Sequence, residues 1–542
     1  MRATRRTFIT AAGTAAAVAG SGVSRAAAAA IPRSTTHSTP HSTEHHRVVV
    51  VGSGFGGSVA ALRLAQAGVP VTVLERGKRW PTGPNADTFP TLHPPDKRIL
   101  WYGTLPEGAR ALQTLLGTPL GLEPYVGIVE AIAGDNMLAL VPAAVGGGSV
   151  AYEGVSLQPT PAVFAKIFPA DLDYDLLDRV HYPRVAQMLQ IAQPPDELID
   201  ADPYYAARYF RDKSLAAGYD VQKLFMPIDW SYALAELRGE MKPSYTNGDC
   251  FLGVNNGGKH SLDVTYLAQA EATGRCTIAD HHNVTSVARA ADGSWVVQAD
   301  RTDDNGTTLE TKTITTGTLI MAAGSTGTSR LLVEAQGTGS IPDLPDAVGE
   351  GWGTNGDRIY VWTDPFTDFG ATTGGPCVFG SFDWDDASTV NTIVQAAMPP
   401  MLTSTNVVDP HSIMVIGYGY SEDRGRFVYQ PLTGKAHLKF PFLGDNGSFS
   451  VINERMHKTV GLDGVLTDVG AVLPNTWHSL GGAVMGPVCD TVGRVHGQRG
   501  LYVLDGALIP GSSGACNPSM TIAAVAEHAL DVLIRQDVGT VI

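Results

Sequence analysis

Cysteine is scarce in this chain: Cys250, Cys276, Cys377, Cys489 and Cys516 stand far apart among 542 residues, with no Cys-x-x-Cys pair. Such spacing excludes a cysteine-based metal site, and an odd count leaves at least one free thiol in any pairing scheme. Positive charge is also short, with 38 Lys and Arg against 53 Asp and Glu and a formal net charge of -15. Nucleic acid rewards clustered Lys and Arg, and no basic tract follows the first few residues, so nucleic acid is excluded as a partner. Charged residues are few (17%) and hydrophobic ones plentiful (44%). That balance is inconsistent with disorder over most of the length and supports a large core. A chain of this size suits two domains, one for a cofactor and one for a substrate.

Arg5 and Arg6 lie in Thr-Arg-Arg-Thr-Phe-Ile, ahead of an Ala-, Gly- and Val-rich stretch and the run Ala26 to Ala30. The segment resembles a twin-arginine export signal and implies a secreted protein that folds before transport. Its apolar stretch is shorter than the roughly 20 residues of a membrane span. Cleavage is expected near Ala30. The Ser-, Thr- and His-rich segment after it reads as a disordered linker over 31–46.

The run Arg47 to Val51 has the continuous apolar character of a central parallel strand covered on both faces. Gly52-Ser53-Gly54-Phe55-Gly56-Gly57 follows at once. Gly52 permits a tight turn, Gly54 lets the backbone approach a pyrophosphate, and Gly57 lets the next helix pack close to the strand. Phe55 sits in the same turn, where the helix N-terminus faces the phosphates. A second buried strand, Val71 to Leu74, ends at Glu75, an acid placed to accept hydrogen bonds from a ribose. Far downstream, Thr318 to Met321 reads as a buried strand entering the glycine turn at Gly324. Two nucleotide-side elements separated by a long insertion imply an FAD fold threaded through the chain.

Other segments carry the same signal. Gly147, Gly148 and Ser149 form a glycine turn between apolar segments, read as a close backbone approach to a ligand. Leu501 to Leu504 looks like a buried strand ending in Asp505 and Gly506, and Asn517-Pro518 precedes an amphipathic helix over Met520 to Ile534. Together with Asn255 to Lys259, Val348 to Gly353 and His478 to Gly482, these motifs resemble the glucose-methanol-choline (GMC) oxidoreductases, and within them the noncovalent bacterial cholesterol oxidases. The likeness runs from about Val48 to about Gln536.

That resemblance implies an α/β protein, α+β overall, in which a Rossmann-like FAD-binding domain (47–160, 246–355 and 471–542) is interleaved with a β-sheet substrate-binding domain (161–245 and 356–470). It implies that Gly52, Gly54, Gly57 and Glu75 hold the ADP part of noncovalent FAD. Gly147, Gly148 and Ser149 then lie at the pyrophosphate or flavin, the Val284 backbone meets the adenine, and Asp505, Gly506 and Pro518 lie beside the flavin end. Alcohol oxidation removes a hydride from carbon and a proton from oxygen, so a polar group must meet the hydroxyl. His478 is the candidate, matching the family's active-site histidine. Asn517 matches the second hydroxyl-binding residue, with a helix cap as its alternative reading.

Cholesterol oxidases of this branch carry a glutamate before a Met-Pro segment, which moves a proton when the steroid double bond isomerises. The matching position is read as Gln395, an amide without base function. Glu153, in Tyr152-Glu153-Gly154, is a substitute base or a carboxylate satisfied by backbone donors. The expected function is oxidation of a secondary alcohol, with a 3β-hydroxysteroid as the foremost substrate class, dioxygen as acceptor and little isomerisation. The alternatives are another hydroxylated lipid or specialised metabolite, or a flavin-binding protein without turnover. A monomer is expected, with no metal and at most transient contact with a membrane surface.

Overall fold

The protein is seen here as a computed structural model that describes residues 39–91, 96–102, 123–370, 373–397, 410–462, 464–471 and 474–542. The export-type segment, the linker up to residue 38, and Met398-Pro399 lie outside the described residues.

Val48 to Val51 have at most 3% of their surface exposed. Fully burying a valine stabilises a fold by roughly 1.5–3 kcal/mol, enough to make this run the centre of a sheet. The strand His41–Val51 pairs in parallel with Val71–Leu74 on one side and with Thr308–Met321 on the other. Cys276–Ala279 extends the sheet beyond Val71–Leu74, while Trp295–Thr302 and His282–Arg289 extend it antiparallel at the other edge. Leu501–Val503 adds in parallel to the last residues of Thr308–Met321, completing seven strands.

The expected linker needs correction here. Residues 41–46 continue the first strand, paired with Thr311 to Thr316. Their polar, alternating side chains suit a strand exposed on one face: His41 and His45 each meet a threonine hydroxyl at 3.0 Å, and Lys312 donates to Glu44 at 2.6 Å. Composition alone does not distinguish such a strand from a solvated tether, because a neighbouring backbone supplies the ladder.

A second, six-stranded antiparallel sheet runs Val465–Asp468, Arg358–Thr363, Ser412–Gly419, Asn391–Ala396, Phe379–Asp383, Asp220–Lys223. One face packs on the helix Asn446–Val460, where a Cβ at Gly417 would stand 2.5 Å from Ile452. The two sheets draw on alternating stretches of the chain. Between them, Asn475–Thr476 joins Leu138 and Ala139 of the strand Met137–Pro142, which fixes the segment leading into His478.

Candidate active site

The nucleotide end is made of backbone. Gly52 has φ +99°, and a Cβ there would lie 2.2 Å from the Ala322 carbonyl oxygen. Gly54 has the ordinary extended angles φ -71° and ψ -166°, and a Cβ on it would meet nothing within 4 Å. It faces open space, so any side chain would intrude on a ligand and not on the protein. Gly57 would drive a Cβ to 2.1 Å from the Gly52 oxygen, and Gly56 to 1.7 Å from the Leu504 oxygen. Thus Gly56, which the spacing pattern leaves as a free position, seats the helix Phe55–Gln66 against the strand end at Leu504.

The cavity above this turn is lined by Gly52 to Gly54, Glu75, Arg76, Gly147, Gly148, Val284 and Ala322 to Gly324. It lies at the carboxyl ends of parallel strands, where open α/β sheets bind their ligands. Gly148 also faces open space, and a Cβ on Gly147 would touch the Gly54 Cα at 2.7 Å. The two glycine turns therefore stand face to face, with the free helix N-terminus aimed between them. An FAD pyrophosphate fits this cradle. Arg330 and Arg76 line the same cavity and both pair with Glu130. Burial opposes the Glu130 charge, but the two guanidinium groups hold its pKa below the ordinary value. Nothing in the sequence pattern pointed to Arg330 or Glu130.

Three expected ligands are partly engaged elsewhere. Glu75 accepts from Ser53 N–H (3.0 Å), Ser53 Oγ (2.6 Å) and Gly77 N–H (2.8 Å), tying the two strand ends together while still lining the cavity. A carboxylate has about four lone-pair sites, so capacity remains for a ribose. Ser149 donates to the Gly146 carbonyl at 2.7 Å and accepts from Leu262 N–H at 2.9 Å, so its hydroxyl holds the turn. Pro518 occupies the first turn of the helix Pro518–Gln536, where its missing N–H costs nothing.

The Asp505–Gly506 turn links the two ends. Asp505 accepts from Thr328 Oγ1 at 2.5 Å and from Ala507 N–H at 2.8 Å, and burial raises its pKa to about 6. Gly506 accepts through its oxygen from Gly481 N–H at 2.8 Å. The glycines after His478 now have reasons. A Cβ at Gly481 would lie 2.1 Å from the Gly351 oxygen, and one at Gly482 would lie 1.8 Å from Ser329 Oγ. Leu480 exchanges backbone hydrogen bonds with Gly353, so the Gly351-Trp352-Gly353 motif holds the histidine loop.

At the end of that loop His478 meets three partners. Its Nδ1 is 2.7 Å from Asp357 Oδ1, and its Nε2 is 3.3 Å from Asn517 Nδ2. Tyr418 donates its hydroxyl to Asn517 Oδ1 at 2.8 Å, and its ring stands edge-on to the imidazole at 5.8 Å. Burial raises the Tyr418 pKa well above the ordinary value, so the phenol remains a donor. Asn517 occupies the N-cap position of its helix but makes no capping hydrogen bond. Its side chain hydrogen-bonds within the histidine cluster instead. Asp357 and Tyr418 were not legible from the sequence; the only signal for Asp357 was its place just after the Gly-Trp-Gly motif.

Gln395 does not join this cluster. Directly opposed residues of an antiparallel pair share a face, and successive residues alternate. Thr392 opposes Tyr418 and Val394 opposes Ile416, whereas Gln395 opposes Val415 on the Gly417 face that packs on the helix Asn446–Val460. Its amide donates to the Ala396 carbonyl. Val394, one position earlier, shares the Tyr418 face with Thr392 and Ala396. Glu153 accepts from Cys377 N–H at 3.0 Å and from the Cys377 thiol, and burial raises its pKa. All five cysteines are buried and unbridged.

Comparison with known proteins agrees with this architecture. Residues 450–526 match the family model described as GMC oxidoreductase, and residues 50–114 match an NAD(P)-binding Rossmann-like domain. A cholesterol oxidase of Mycobacterium tuberculosis is 28% identical, with 89% of this chain and 90% of the relative covered. Another from Acinetobacter baumannii is 23% identical, covering 90% and 94%. The crystal structure of pyridoxine 4-oxidase from Mesorbium loti superimposes with a TM-score of 0.58 over 91% of this chain and 99% of that one, at 13% identity, a likeness of fold alone. The chain is an FAD-dependent alcohol oxidoreductase similar to the GMC oxidoreductases.

Proposed function

We propose that the protein oxidises a secondary alcohol, foremost a 3β-hydroxysteroid, to the ketone, with FAD held noncovalently and dioxygen as the acceptor. The observation that carries the reading is the His478–Asn517 pair, an acceptor nitrogen and an amide donor 3.3 Å apart beside the flavin-end turn. The substrate class rests on the cholesterol oxidase relatives. Bound FAD supplies the hydride acceptor. The alcohol oxygen accepts from Asn517 Nδ2 and donates its proton to His478 Nε2, while Tyr418 holds the amide oxygen and so fixes which end of Asn517 faces the substrate.

Isomerisation is weak in this reading, for a different reason from the amide at Gln395. Of the neighbours Val394 and Gln395, the one that shares the Tyr418 face is Val394, which has no proton to exchange, and Glu153 Oε2 accepts from the Cys377 backbone and thiol. The primary product from a 5-ene sterol is therefore the unconjugated ketone. Anaerobic mixing of the yellow protein with 3β-hydroxysteroids and with unrelated alcohols, followed by air, tests the proposal. Bleaching by sterols and recovery of colour in air are expected; no bleaching by any alcohol would sink it.

The enzyme acts as a secreted monomer in this proposal, meeting a membrane surface only transiently. The twin-arginine assignment predicts that Arg5→Lys with Arg6→Lys leaves active, flavin-loaded protein inside the cell. Normal secretion of that double variant would end it.

A further inference from the structure

We infer that Asp357 is a positioning residue that sets the protonation tautomer of His478, and so decides that Nε2 is a proton acceptor when the alcohol arrives. This rests on the proposed role of His478, but it makes a claim about the ring that does not depend on turnover.

A carboxylate carries no proton to donate, so the 2.7 Å contact between Asp357 Oδ1 and His478 Nδ1 requires the proton to lie on Nδ1. Neutral imidazole has one N–H, and Nε2 is then left with a lone pair directed at Asn517. The other carboxylate oxygen is not free to exchange roles. Asp357 Oδ2 accepts from Thr476 Oγ1 at 2.8 Å and from the Trp477 backbone N–H at 3.2 Å. Thr476 Oγ1 in turn accepts from His478 N–H at 2.8 Å. The carboxylate side chain is only 8% exposed, so water does not compete freely for these contacts. When the alcohol's O–H proton passes to Nε2, bound FAD would supply the acceptor for the hydride, which carries both electrons of the broken C–H bond. The ring becomes an imidazolium, and the Asp357 charge 2.7 Å away stabilises it.

The same contacts predict an unusual order of variants. In Asp357→Asn the amide oxygen must face Trp477 N–H, a donor that cannot reverse. The amide NH2 then faces Nδ1 and forces the ring proton onto Nε2, where the alcohol needs an acceptor. Asp357→Ala removes the orienting charge but leaves both tautomers accessible. The isostere should therefore be slower than the truncation, the reverse of what a merely structural role gives.

The experiment compares holoenzyme of both variants with the unmodified protein, measuring anaerobic flavin reduction and the 15N shifts of labelled histidine at neutral pH. Asp357→Asn should keep its flavin spectrum, slow reduction about 100-fold to 10,000-fold, and show Nε2 protonated. Asp357→Ala should fall between that variant and the unmodified protein. Reduction by Asp357→Ala slower than by Asp357→Asn would overturn the inference, as would an unprotonated Nε2 in Asp357→Asn. If no alcohol reduces even the unmodified protein, the proposed reaction fails, and the 15N shifts alone decide the tautomer assignment. An unmodified His478 with its proton on Nε2 would then refute it.

Discussion

The two ends of the site are built on different principles. At the nucleotide end the working parts are backbone atoms of one contiguous turn, Gly52 to Gly57, answered by a second turn at Gly146 to Ser149. At the alcohol end the working parts are side chains, and Asp357, Tyr418, His478 and Asn517 come from four separated segments that meet only after both sheets have formed. A motif made of backbone must be contiguous, because its geometry comes from consecutive torsions. A cluster of side chains has no such requirement. The first kind of site therefore shows in a spacing pattern, and the second shows only in part.

The sharpest test of that contrast lies within the glycine turn. Gly54→Val has ordinary backbone angles and open space around its Cβ, so the protein should fold and lose its flavin almost completely. Gly56→Ala meets the Leu504 oxygen instead and should destabilise the fold by about 1–3 kcal/mol or more. Flavin absorbance and thermal midpoint, measured on both, should move in opposite proportion; equal losses of stability would mean that Gly54 is a packing residue.

Side-chain changes at the other end should spare the cofactor. His478→Ala should retain FAD and slow flavin reduction about 100-fold to 10,000-fold in rapid-mixing experiments. Near-normal kinetics would reduce His478 to a structural role.

Tyr418→Phe tests the next layer. It removes one hydrogen bond to Asn517 Oδ1, about 0.5–1.5 kcal/mol, and so should slow reduction about 2-fold to 12-fold by leaving the amide free to turn. No change would show that the helix terminus alone orients Asn517.

The smallest effects should come from residues outside the cluster. Gln395→Glu should not speed formation of the conjugated ketone, because its side chain lies on the far face of the sheet. An increase in absorbance of the enone would contradict that placement. Glu153→Gln removes a carboxyl whose pKa burial has raised. Above the ordinary carboxyl value the unfolded chain ionises more readily than the folded one, so this group costs stability as pH rises. The variant should gain thermal stability over the unmodified protein at pH 8 and less at pH 4.5; an equal gain at both would remove Glu153 ionisation as the cause.

Gln395 shows why part of the site was not legible. A strand has a side-chain period of two, so a one-residue difference in matching moves a side chain to the other face. The Met-Pro landmark could not supply that parity; the pairing of Thr392 with Tyr418 did. The polar strand at His41 to His46 failed for a related reason, since its partner lies far away in sequence at Thr311 to Thr316.

By itself the sequence determined the dinucleotide fold, the glycine cradle, and His478 and Asn517 as candidates, because steric limits on φ and on close approach leave a local record in glycine and in apolar runs. Only the tertiary structure decided that Asp357 stands behind His478, that Tyr418 holds Asn517, and that Val394 and not Gln395 shares their face. Those relations depend on strand register and on loops crossing between sheets, and hydrogen-bond partners brought together that way leave no fixed spacing along the chain.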